Sequence, residues 1–358
     1  MTTLCQPARG SAPRGWRAHP LTANASFVHL RWIAKTPIFE SPLEPGSYLL
    51  TITAAGKVDV RYPILLARGE QLRIDVPIPS RSEIPPGFVY IPKGRFLFGY
   101  GQDETLRKVF FATAPLHQVT LDTYLISQNE TTYADWIEYL NTLSHVEKKK
   151  RTPNVARGSA GGYLELQERS HSSWTLRIQP QTTQYSVAQG DLLEYPSRTI
   201  RKRQNWQKLP LAGISYDDAQ AFLIWLNTSG RAKGARLCTE HEWERAAKGA
   251  DEREYPHGDT LELDDANFDE TYHKAPAAWG PDEVGSHPIS TSPFSIHDLV
   301  GNHWELTTSS MNNDEVVCRG GSYLFDSFVD RSTNRNVVEP IFRSNDVTLR
   351  ICISWPQR

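Results

Sequence analysis

Cysteine is scarce in this chain of 358 residues: there are four, Cys5, Cys238, Cys318 and Cys352. That is too few for a disulfide framework. No two are spaced C-x-x-C, which argues against a structural zinc site. None lies between Ser322 and Ile351. Long apolar runs are missing too. No stretch approaches the roughly 18 apolar residues of a membrane span. The opening stretch MTTLCQPARGSAPRGWRAHP has no apolar core of the kind a secretory signal needs. An excess of either charge sign is absent as well. Lys and Arg number 39 against 41 Asp and Glu, a net charge of −2. Such a balance produces no global field for nucleic acid or an anionic membrane. Methionine occurs twice, so a soft, Met-rich binding surface is not expected.

What the chain does have is aromatic and turn residues. Ten Trp and fourteen Tyr stand beside 23 Gly and 24 Pro. Buried Trp and Tyr need partners for their N–H and O–H groups, so a rigid, turn-rich fold with many polar anchors is expected. Residues 1–25 read as a disordered arm. From 26 to 80, SFVHLRWIA, GSYLLTITA, KVDVRYPILLA and QLRIDVPIP are apolar, β-branched and aromatic, and are divided by Gly-containing turns. They predict a small β-sandwich. Within it PLEPGSYLLTITAAGK resembles PEGA-like modules, which are usually spacers or binding appendages. Residues 81–86 read as a linker, and 87–358 as the main domain.

Three helices are predicted in that domain. ISYDDAQAFLIWLN opens with Ser215 as cap, and Ala219, Phe222, Leu223 and Leu226 make its apolar face. TEHEWERAAKG pairs Thr239 with Glu242 in a capping box and ends at Gly249. TYADWIEYLNTL, 132–143, is the third. Residues 145–205 read as an insertion. It contains the basic run 148–151, read as solvated charge, and a hairpin in YLELQERSHSSWTLRIQP. Long irregular stretches elsewhere must be pinned by ions, Trp anchors or dense hydrogen bonding.

Seven blocks occur in order: GFVYIPKGRFLFG, PLHQVTLDTYLISQNETTYADWIEYLN, LPLAGISYDDAQAFLIWLN, ARLCTEHEWERAAKG, DDANFDETY, SPFSIHDLVGNHWELT and CRGGSYL. Together they resemble the formylglycine-generating enzyme (sulfatase-modifying factor) family. The resemblance implies an α+β, C-type-lectin-like fold with much irregular backbone held by calcium. The version with a β-module in front resembles those appended to bacterial serine/threonine kinases. A kinase domain in a parent protein is therefore one expected partner, and the bacterial cytoplasm the expected location, or the periplasm or exterior if the chain is a piece of a membrane-anchored protein. The chain itself has no Gly-rich loop, His-Arg-Asp loop or Asp-Phe-Gly.

The family's enzyme oxidises a substrate cysteine with copper held by two of its own cysteines, which follow Arg-Gly-Gly-Ser. Two thiolates suit Cu(I). Here the first position matches Phe325 and the second falls near Asp330; no cysteine occurs anywhere in 319–351, and neither copper nor formylglycine generation is expected. Ser322, Tyr323, Phe325, Asp330, Arg331 and Arg335 are then the expected ligand cleft, open to an unidentified peptide, protein or small molecule. Cys318 reads as a buried structural cysteine. Cys238 and Cys352 lie on elements that pack near each other in the family, which leaves a disulfide and two adjacent thiols both open.

For calcium, the resemblance carries one site onto Asp298, Gly301, His303 and Glu305. The other begins at Asn267 and Phe268, with Asp282 as a candidate later ligand. Hard cations take such oxygen ligands. The related sulfoxide synthases use non-haem iron held by histidines of a separate helical domain, and no such domain is recognised in these residues. An iron-dependent oxidoreductase using His287, His297 or His303 with Asp298 or Glu305 is the alternative reading.

Overall fold

A computed structural model describes residues 2–5, 15–20, 31–35, 41–159, 162–170, 173–310 and 315–355. It is an α+β fold, with four helices and seven small, mostly antiparallel sheets among these residues.

GSYLLTIT alternates side chains across a strand, Gly46–Thr53, and pairs antiparallel with Val60–Leu66. Gly15–Pro20 and Arg31–Lys35 complete that sheet. Thr2–Cys5 lies between Pro42–Leu43 and Gln71–Arg73 in a second sheet, parallel to the latter. The stretch expected as an arm thus carries two strands. Residues 26–30 of the first expected strand lie outside the described residues. Leu50, Ile52, Val60, Ile64 and Val76 are buried, and they join the same apolar cluster as Trp136, Phe222 and Trp304. Among the described residues these side chains of the module share one apolar cluster with the domain.

The helices follow their capping signals. α1 is Tyr133–Leu140, α2 His145–Arg151, α3 Tyr216–Thr228 and α4 Glu240–Lys248. Thr132–Asp135, Ser215–Asp218 and Thr239–Glu242 form capping boxes at α1, α3 and α4. Gly249, at φ 79°, ends α4. The predicted apolar face of α3 is buried in full. The unexpected α2 absorbs the basic run, which occupies its last turn, where positive charge complements the helix dipole.

The insertion builds a four-stranded sheet: Asn154–Ser159, Gly162–Ser170, Ser173–Gln179 and Tyr185–Ala188. Its predicted hairpin is there, with Leu166 opposite Leu176. Leu164, Leu166, Trp174, Leu176 and Ile178, all on one face by period two, are buried against the main core.

Two sheets frame the site. One runs Ala235–Leu237, Ile351–Ser354, Tyr124–Ser127, Phe88–Ile91. The other runs Asn336–Val338, Val316–Arg319, Trp304–Ser310, Val347–Leu349. The cysteine question left open by the sequence resolves as a buried disulfide, Cys238–Cys352, across a separation of 114 residues. Cross-links over long loops constrain the unfolded chain most. Replacing both cysteines by alanine should lower unfolding free energy by about 2–4 kcal/mol, read as a lower urea midpoint with a slope that rises as the unfolded chain expands.

Candidate functional site

The Arg-Gly-Gly-Ser turn is built by two glycines that nothing else could replace. Gly320 and Gly321 have φ 102° and 80°. A Cβ on Gly321 would lie 1.8 Å from Asp330 Oδ1, and one on Gly320 3.1 Å from the Trp243 ring. The turn therefore closes tightly over Asp330. Its Oδ1 accepts the Ser322 N–H at 3.1 Å, while the buried Oδ2 has no partner. Burial pushes the Asp330 carboxyl well above its usual range, and Asp326 and Asp269 push it further. Only the Ser322 N–H works the other way.

The six expected cleft residues do not share one open surface. Ser322, Tyr323 and Asp330 are buried in the interior. Ser322 Oγ donates to Asp346 at 3.0 Å, and the Tyr323 hydroxyl accepts from Asn345 at 3.1 Å. Phe325 is half-buried, its ring edge-on to Trp304 at 5.8 Å. Arg331 and Arg335 reach the surface but are engaged. Arg331 pairs with Glu254 at 3.0 Å and covers the Phe328 ring at 4.9 Å. Arg335 pairs with Glu240 and donates to the Ala112 carbonyl at 2.9 Å. Cys318 is fully buried among apolar neighbours, and burial drives its thiol far above the normal range. It has neither the exposure nor the acidity of a reactive thiol.

The loop 298–303 turns through three left-handed positions, Asp298, Gly301 and Asn302, at φ 57°, 70° and 60°. A Cβ on Gly301 would strike the Asn267 carbonyl at 2.2 Å. Glu305 follows on a strand. It takes the Arg350 guanidinium on both oxygens, at 2.6 to 3.0 Å, and the Trp243 N–H at 2.7 Å. Arg350 also donates to the carbonyls of Ser127, Gln128 and His297. Asp298 accepts the Gly285 N–H at 2.5 Å. Glu130, which sequence reasoning missed, adds a third buried carboxylate. Asn302 donates to its Oε2 at 3.1 Å, and its Oε1 has no partner. Burial raises the pKa of Glu130 well above normal, and the charges of Asp298 and Glu305 reinforce this. Burial raises Asp298 and Glu305 as well, opposed in both by Arg350. Three buried acids face one guanidinium, so an excess of negative charge is left to be met by protons or a cation. The three do not form a ready-made ligand shell, since no group of three His, Cys, Asp or Glu converges on one metal position among the described residues.

The other expected site is differently built. Asn267 and Phe268 are buried, but the Phe268 carbonyl accepts the Thr271 N–H at 3.1 Å. Asp282 is ion-paired to Arg198 at 2.6 Å. Gln204, Tyr272 and His287 donate to the same carboxylate. Burial would raise its pKa; Arg198, His287 and Tyr272 outweigh that and bring it to about 2.

The iron alternative is not formed by these side chains. His287 bonds Asp282 at 2.8 Å and the Asp264 carbonyl at 3.2 Å. His297 lies between Gln128 and Thr291, at 3.3 and 3.2 Å. His303 faces Tyr323 across 5.8 Å and borders a small cavity of about 10 Å³ with Leu164 and Ile178. Burial lowers its imidazole to about 3, against the influence of the neighbouring Leu211 backbone, and neither ring nitrogen makes a full hydrogen bond. The three rings have three separate sets of partners, and sequence proximity had suggested a convergence that the loop does not make.

The family comparison meets this geometry. A sulfatase-modifying factor enzyme 1-like domain matches residues 75–354, beginning inside the expected β-module. The chain belongs to this family. Within the sulfatase-modifying-factor family it is similar to the inactive C-alpha-formylglycine-generating enzyme 2 of Bos taurus, 28% identical over 251 residues, 66% of this chain and 76% of that one. It is also similar to the hercynine oxygenase of Mycobacterium tuberculosis, 31% identical over 160 residues, but over only 37% of this chain and 34% of that one. Among solved structures, PvdO from Pseudomonas aeruginosa superposes with a TM-score of 0.53 at 19% identity, over 75% of this chain and 94% of its own, a likeness of fold.

Asp330 sets a pH dependence. Its folded pKa lies above the unfolded value near 3.8. The folded state therefore keeps a proton that the unfolded chain releases, and its contribution is lost as pH rises from about 4 toward the folded pKa. Asp330→Asn should retain the bond from Ser322 and reduce the loss of stability with rising pH by up to about 1.4 kcal/mol per pH unit, measured by urea unfolding from pH 4 to 8.

Proposed function

We propose that this protein is a non-catalytic member of its family, a recognition module on a formylglycine-generating-enzyme-like scaffold. The observation that carries the reading is the pair Phe325 and Asp330. They stand at and near the positions where the resemblance implies copper-binding thiols, one an aromatic ring on Trp304 and the other a buried carboxyl. Cys318, a free thiol, is sealed in the core. Similarity to a relative named as inactive supports the same reading.

A ligand has a more accessible place than the expected cleft. A cavity of about 750 Å³ lies at the seam of the β-module and the domain, lined by Pro77, Tyr90, Lys93, Arg236, Glu242 and Trp355. Its size falls within the usual range of ligand sites. Aromatic rings and prolines suit an extended peptide, and the charged groups of the lining are already paired, Arg236 with Glu242 and Lys93 with Asp122. A place in a bacterial signalling protein, beside a kinase domain, rests on the sequence blocks alone. Purified protein incubated with oxygen, copper and a Cys-containing sulfatase peptide should yield no formylglycine above the level without protein. Catalytic turnover detected by mass spectrometry would end the proposal.

Calcium is proposed at Asp298 and Glu305 with the carbonyls of Gly301 and His303, and Glu130 stands beside this set. The support is the crowding of buried carboxyls around one guanidinium and the orphaned Glu130 Oε1. An ion that binds only the native state stabilises it, by about 2.7 kcal/mol at a hundredfold excess over Kd. Calcium should raise the melting temperature of chelator-treated protein, and Glu130→Gln should shrink that rise. A melting temperature indifferent to both calcium and chelator removes the ion from the account.

A further inference from the structure

Beside Asn267 and Phe268, on the candidate later ligand Asp282, the expected site already carries a cation of the chain itself. Arg198, from the insertion, is fully buried as a side chain. Its Nη1 meets Asp282 at 2.6 Å, its Nε donates to the Ala278 carbonyl at 2.7 Å and its Nη2 to the Gly280 carbonyl at 2.8 Å. One carboxylate and two backbone carbonyls are the kind of oxygen shell that a hard cation takes. The flat faces of the guanidinium are covered by Tyr195 and Tyr272, at 3.6 and 3.8 Å from the ring centroids. Such stacking fits a planar guanidinium and has no use for a spherical ion.

The walls of this pocket are also made for it. Gly280, at φ 153°, lets the Tyr195 ring approach so closely that a Cβ would sit 2.6 Å from its hydroxyl oxygen. Asn267, the expected first ligand, turns its amide N–H groups to Gly280 and Asn302, and its Oδ1 has no partner. Three of the contacting groups, Tyr195, Arg198 and Gln204, come from the segment 145–205 read as an insertion. Their partners Tyr272, Ala278, Gly280 and Asp282 come from the loop that the family's ion would hold.

We propose that the insertion has replaced one structural metal site with a tethered guanidinium, so that Arg198 holds the 267–287 loop without metal. Asn267 and Phe268 are then remnants of a ligand set, and the insertion is a fixed part of the domain.

Thermal unfolding and calcium calorimetry on the full chain test this. Arg198→Ala should melt at a lower temperature than the wild type. Millimolar methylguanidinium should restore part of that loss in the variant and leave the wild type unmoved. Arg198→Lys should stay low, because an ammonium cannot span the carboxylate and both carbonyls. The wild type should bind at most one calcium ion per chain. Two ions per wild-type chain would overturn the proposal, as would a folded Arg198→Ala variant that methylguanidinium does not stabilise. If that variant fails to fold, the wild-type stoichiometry decides alone. A stoichiometry of zero would count against calcium at Asp298 and Glu305 and would leave the role of Arg198 standing.

Discussion

The Glu305–Arg350 pair is the interaction on which the centre of this molecule depends. Both groups are buried, and each is committed on several sides. Glu305 reaches α4 through the Trp243 N–H. Arg350 spreads its fork over carbonyls at the end of one sheet and in the loop that precedes the other. The sheets, the helix and the loop thus meet at one carboxylate. Taking two charges out of water costs several kcal/mol each, and only dense hydrogen bonding offsets it. Such a pair is weak as a source of net stability. It is strong as a determinant of geometry, because a lone buried charge would remain if either partner moved.

The same device recurs. Arg319 is enclosed by Glu240, Glu244 and the Ser332 carbonyl beneath the glycine turn. Arg198 and Asp282 close the far loop. A fold with this much irregular backbone leaves many carbonyls without a helix or sheet partner, and each must find a donor. A guanidinium serves several at once and needs only one carboxylate for its charge. This is why the interior is rich in arginine although the chain is nearly neutral overall. A cleft whose floor is built in this way is closed and rigid, and Ser322, Tyr323 and Asp330 belong to that floor.

How much of this could be read beforehand divides by range. Helix starts were legible because a cap is a local event: Thr132, Ser215 and Thr239 each bond a residue three places on. The insertion hairpin was legible from its period of two. The loss of the thiol pair was legible because it is an absence at known positions. What escaped were encounters between distant segments. Nothing around Glu130 marks it as a neighbour of Asp298, and Arg198 sits in a polar stretch that gives no sign of burial. The histidines misled for the opposite reason. They are close in sequence, but each ring is engaged by its own partners: His287 by Asp282, His297 by Gln128 and Thr291, and His303 by Tyr323. Strand Thr2–Cys5 was missed because four residues are too short to show an alternation, and its pairing with Gln71–Arg73 is supplied from afar.

The bond between Cys238 and Cys352 makes residues 238 to 352 a closed ring. Glu305, Arg350, Arg319, Asp282 and Asp330 all lie on it, whereas Glu130 and Arg198 reach in from the open chain outside. A protease that cuts once within the ring opens it but separates nothing, and the two pieces stay joined until the bond is reduced. A single cut on the N-terminal side between Glu130 and Arg198 has no such protection. The ring and the open chain therefore differ in what one broken peptide bond can do to the molecule.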